Sequence, residues 1–195
     1  MAYYGLSHPL IAKLDVETGT YSKGFQCGKA VGTDITPNYN EATQYGDDEV
    51  AEYVKEFKDA DVNLSVTELP LEAANTIFGH TVDNSTKNII YNASDSANFV
   101  GYGFYVKEMV KGVVSIIAAF LPKIKLTETA ESYATKGDSI EFKNPSLSGK
   151  ASSNDAGKWK EKQTFETEEA AITWLKTKLG MTTESVSTQS TTPEE

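Results

Sequence analysis

The chain of 195 residues reads as a mainly β (α+β) protein with antiparallel pairing, two helices and one long internal loop. Three observations predict this. Apolar and polar residues alternate with a period of two in several short segments, the signature of strands with one buried face. Only two segments carry apolar residues at helical spacing. The longest apolar run, from Val113 to Leu121, is interrupted by Ser115 and followed by Pro122. It falls far short of the roughly 20 residues a membrane-spanning helix needs and reads as a buried strand.

Taken in order, the segment from Thr33 to Asp48 shows no periodicity and contains Pro37, Asn38, Asn40 and Gly46, so it is expected to be a long loop inside the domain. The cleanest strand follows, with Val62, Leu64 and Val66 on one face and Asp61, Asn63, Ser65 and Thr67 on the other. A first helix is expected from Pro70 to Phe78, opened by proline, with Glu72 in its first turn and Gly79 as its stop. From Asn98 to Lys107, Val100, Tyr102, Phe104 and Val106 share one face, while Phe99, Gly101, Gly103 and Tyr105 share the other. Both faces should therefore be covered, and the glycines should mark bulges or a close approach. Further alternation places Ile124 with Leu126, Ile140 with Phe142, and Trp159 with Phe165 opposite Lys158, Lys160 and Lys162. The second helix is framed by Thr167 as cap, Glu168 and Glu169 in the first turn, and an apolar stripe through Ala171, Ile172, Trp174, Leu175 and Leu179. Lys176 and Lys178 stand at its far end, before Gly180. The expected organisation is one domain over residues 1–180 and a flexible Ser/Thr-rich tail over 181–195.

Composition narrows the function. A hydrophobic fraction of 39% and a charged fraction of 24% suit a packed globular chain. All 18 basic residues are lysine, and the net charge is −10. Without the bidentate fork of arginine, and with a repelling surface, tight nucleic-acid binding is not expected. The acidity is concentrated: residues 34–83 hold 12 carboxylates against Lys55 and Lys58, and so account for the whole net charge. One cysteine, Cys27, and two histidines, His8 and His80, allow neither a disulfide framework nor a thiolate zinc cluster. No catalytic or phosphate-binding motif surrounds the histidines, and Ser94-Asp95-Ser96 reads as a polar turn. Cys27 reads as a small buried hydrophobe, and Gly24, Gly28 and Gly32 as turn punctuation. Asp47, Asp48, Glu49 and Glu52 lack the alternating spacing of a calcium loop. No catalytic, cofactor or metal site is expected. Residues Met1 to Gly5 lack the basic and apolar regions of an export signal, so retention in a cytoplasm until release is the expectation.

Many short segments, in order, resemble the major tail protein of long, non-contractile-tailed bacteriophages of Gram-positive bacteria. They are Ala12-Lys13-Leu14-Asp15, Gly28-Lys29-Ala30, Ile35-Thr36-Pro37-Asn38, Tyr45-Gly46-Asp47-Asp48, Glu68-Leu69-Pro70-Leu71-Glu72, Asp95 through Gly103, Leu121-Pro122-Lys123, Lys136 through Ile140 and Trp174-Leu175-Lys176. The resemblance spans Tyr3 to Gly180. It implies a tail-tube β-sandwich or half-barrel with a flanking α-helix, assembled as hexameric rings stacked head to tail. DNA would pass through the tube without specific binding. The partners implied are other copies of the chain and the tape-measure, distal tail and tail terminator proteins, in a virion assembled in the host cytoplasm. On this reading Asp61, Asn63, Glu52 and Glu56 are candidates for the lumen wall. Thr33, Asp34, Ile35, Pro37, Tyr39, Tyr45, Asp47 and Asp48 are candidates for contacts between subunits or rings. The alternatives are a monomeric β-sandwich binding module, such as an adhesin or carbohydrate-binding domain, and the tube subunit of a contractile injection system.

Overall fold

The computed structural model describes residues 2–46, 49–129, 135 and 143–181. Within these the chain forms β1 (Ala2–Leu14), β2 (Tyr21–Gln26), β3 (Ala30–Gly46), β4 (Glu49–Val66), α1 (Leu71–Thr76), β5 (Thr81–Asp83) and β6 (Asn88–Ile90). It continues with β7 (Phe99–Val110), β8 (Val113–Glu128), β9 (Ser146–Ala151), β10 (Glu161–Phe165) and α2 (Glu168–Lys178). One antiparallel sheet runs in the order β2-β1-β7-β8-β9-β4-β3, β10 adds to β8, and β5 and β6 form a separate ribbon. The expected mainly β architecture with a flanking helix is thus the one observed.

β8 is the spine. It pairs with β7 from Val113 to Lys125, with β10 from Ile116 to Phe120, and with β9 from Ile124 to Glu128. Its Pro122 falls where the β7–β8 register shifts between Val100 and Tyr102, a place where a missing N–H costs no ladder bond. The sheet curls until β3 comes back against β1, and the Tyr102 hydroxyl donates to Thr33 Oγ1 at 3.2 Å across the enclosed space. Ile11, Val62, Leu64, Tyr102, Leu121 and Leu126 fill that interior.

The convex side is covered by α2, where Ala171, Leu175 and Leu179 recur every fourth residue and are buried against Leu10, Ala118 and Phe120. Both faces of β7 are therefore covered, and its glycines make room for the helix. A Cβ on Gly103 would sit 2.9 Å from Leu175 Cδ2, and one on Gly101 would sit 2.8 Å from Leu179 Cδ2. Thr167 Oγ1 accepts from the Ala170 N–H at 3.3 Å, as a cap should. Glu168 binds Lys107 at 2.6 Å and the Tyr105 hydroxyl at 2.5 Å, tying the first turn to β7. α1 is held by Asn98, whose Nδ2 donates to the carbonyls of Asn75 and Thr76 that the short helix leaves open.

Two expectations are corrected. The stretch from Thr33 to Asp48 is not a loop: through Gly46 it is the greater part of β3, a 17-residue edge strand. An edge strand tolerates Pro37, and a polar strand beyond the core needs no apolar alternation. Trp159 and Phe165 do not share a face. Trp159 precedes β10 and joins the interior, whereas Phe165 packs under α2 beside Trp174. The Ile140 and Phe142 alternation and the tail beyond Met181 lie outside the described residues. Met181 itself packs in the α2 layer.

Candidate functional site

Among the described residues, β4 pairs with β9 only from Ala60 to Ser65, and from Glu49 to Asp59 its ladder partner is β3. The result is a two-stranded arm leaving the body of the sheet. Its base is fixed by aromatic packing. Phe57 stacks on Trp159 at 4.6 Å between ring centroids, and Tyr39 meets Phe57 edge-on at 6.3 Å. Glu41 and Lys55, directly opposite each other, pair at 2.6 Å, and the Lys55 ammonium lies 4.5 Å from the Tyr39 ring centre. That pairing lowers the Glu41 pKa and raises that of Lys55. Farther out, Tyr45, Tyr53 and Val54 are exposed, Tyr45 to 71%.

A bulge sets which side chains share a face. Asn38 pairs with Asp59 and Tyr39 with Phe57, which leaves Lys58 without a partner. Counted without the bulge, Glu52 and Glu56 would oppose Asp61 and Asn63. With it, Glu52, Glu56, Asp59, Asp61 and Asn63 form one row on the outer face, while Phe57 continues the inner one. All four residues expected at a lumen wall are thereby brought onto a single surface. Asn63 and Asp34 are exposed and directly opposite each other.

The row is not uniformly charged. Asn38 Nδ2 donates to Asp59 Oδ1 and Asp61 Oδ2, each at 2.7 Å, and Lys150 of β9 reaches the two aspartates at 3.1 and 3.0 Å. The Asn38 bonds first, and then Lys150, hold both carboxyls below their ordinary pKa. Lys150 also neutralises part of their field. Glu52 and Glu56 are exposed, with no ion-pair partner among the described residues. Lys150 was not legible beforehand, because its place opposite Asp61 depends on a strand nearly 90 residues away.

Of the expected contact residues, Thr33, Ile35 and Pro37 turn inward and are half-buried, whereas Asp34, Tyr39 and Tyr45 are exposed. Asp47 and Asp48 lie outside the described residues.

Groups with chemical potential are tied down elsewhere. Cys27 is fully buried, and desolvation pushes its thiol up to about 12. His80 Nδ1 lies 2.7 Å from Asp95 Oδ2, and Asp95 also accepts from the Asn92 N–H, closing the expected polar turn. Glu128 stands 3.9 Å from His80 Nε2. His8, in a left-handed conformation, stacks on Tyr105, and its Nδ1 is buried without a hydrogen-bond partner. Among the described residues there is no group of three or more His, Cys, Asp or Glu placed to hold a metal, and no helix is long and apolar enough to cross a membrane.

A scan of protein-family models finds no match to this chain, and a search of curated proteins finds none either.

Proposed function

We propose that the chain is a structural, tube-forming subunit of the phage tail tube type, whose rings stack into a channel for DNA. The observation that carries this reading is the β3–β4 arm, a ribbon that leaves the sheet with exposed tyrosines and, among the described residues, no further strand on either edge. Unpaired strand edges are a liability in a monomer and an asset in an assembly that covers them. An arm that meets a different surface of the next copy makes a heterologous contact, which repeats without closing along one axis. The outer face of β3 and β4 is the wall we assign to the channel, with Asp34, Asp61 and Asn63 on the body and Glu56 and Glu52 continuing onto the arm. A wall without arginine and rich in carboxylates releases no counterions to DNA and lets it slide.

Negative-stain microscopy across a concentration series, with light scattering for mass, tests the reading. Rings or hollow tubes are expected. A strict monomer at every concentration that bound a glycan would assign the chain to the binding-module class instead.

A further inference from the structure

A second surface matches the arm. Between the start of β1 and β10 the curled sheet stays open as a groove of about 540 Å³. Its floor is apolar, formed by Leu6, Val31, Ile35, Phe104, Val106 and Ile117. Its rim carries Lys160 and Lys162, which have no carboxylate in ion-pair reach among the described residues. Their ammonium groups lie over the rings of Trp159 and Tyr3, at 5.3 and 5.6 Å. Burial, and then the like charge of Lys162, lowers the Lys160 pKa, the mark of a cation short of an anion. Among the described residues β10 pairs with β8 and has no strand on its other edge.

The arm offers the complement. On its outer face Val54 stands between Glu52 and Glu56, and all three are exposed. The arm cannot fill the groove of its own protomer. Ile35 lies in the groove, and Val54 stands opposite Ala42, seven residues farther along the same strand, roughly 23 Å away at the rise of an extended chain.

We propose that this groove receives the β3–β4 arm of a second copy of the chain, with Val54 on the apolar floor and Glu52 and Glu56 against Lys160 and Lys162. The inference rests on the self-assembly reading and names the surface that the arm engages. It moves Glu52 and Glu56 from the channel wall to a contact, and leaves the wall to the body of β3 and β4.

Charge reversal tests it. Each double variant, Lys160→Glu/Lys162→Glu or Glu52→Lys/Glu56→Lys, sets like charges against each other. Each is expected to raise the concentration needed for assembly by roughly a hundredfold, at unchanged circular dichroism and melting temperature. The quadruple variant, or an equimolar mixture of the two doubles, restores opposite charges and is expected to regain assembly. Double variants that assemble like the wild type, a quadruple variant that stays monomeric while folded, or a wild type that never associates would overturn the proposal. Loss and regain of mass with closed clusters in place of hollow particles would uphold the groove and reject the tube.

Discussion

At the scale of single residues, the outer face of β4 shows how a charge count misleads until partners are placed. Asp59 and Asp61 share Asn38 and Lys150, so much of their charge is spent inside the protomer. Both pKa values are depressed from an unfolded value near 3.9. Their contribution to stability is therefore complete above that value and is lost as pH falls through the lower, folded values. Carboxyl NMR titration is expected to show both midpoints rising towards the ordinary value in Asn38→Ala, and by less in Lys150→Met. Unchanged midpoints would remove the cluster from the account. The polar face of Asp61 and Asn63 was legible from alternation alone. Its neutralisation was not, because neither Asn38 nor Lys150 is a neighbour of Asp61 in sequence.

Elements were legible in proportion to how locally they are specified. α2 carries its cap, dipole charges, stripe and stop within 14 residues, and each feature stands where the sequence put it. β3 carries no such internal signal. Its outer half is polar and stands beyond the core, and only pairing with β4 makes that half a strand. β9 illustrates the same dependence: Gly149 lies between Val62 of β4 and Leu126 of β8. A Cβ there would stand 2.0 Å from the Lys125 carbonyl oxygen, where backbone must yield and not a side-chain tip. Gly149→Ala is expected to cost about 3 kcal/mol in denaturant unfolding, at the upper end of overpacking penalties. A loss under about 1 kcal/mol would mean that β8 and β9 separate easily, which the continuous ladder argues against.

For the whole molecule, the proposed tube turns on which surface would face its channel. Asp34 and Asn63 are exposed, opposed and free of the Lys150 cluster, and so are better probes than Asp61, where an added lysine would crowd Lys150. In assembled particles, Asp34→Lys/Asn63→Lys is expected to retain double-stranded DNA at low salt and to release it as ionic strength rises. Retention no greater than that of the wild type would place this face on the outside. The curl of the sheet was not legible in the pattern of residues. Alternation tells which side of a strand is buried, but not that β3 comes back to β1.

The unpaired Lys58 has a consequence beyond its own position. A strand has two sides, and a single surplus residue exchanges them for everything beyond it. Removing Lys58 would barely shorten the arm, yet it would turn Glu52, Val54 and Glu56 towards the side now held by Tyr53 and Phe57. Length changes near this point are therefore read by the fold as inversions, and a related chain could trade its acidic and aromatic faces without altering one other side chain.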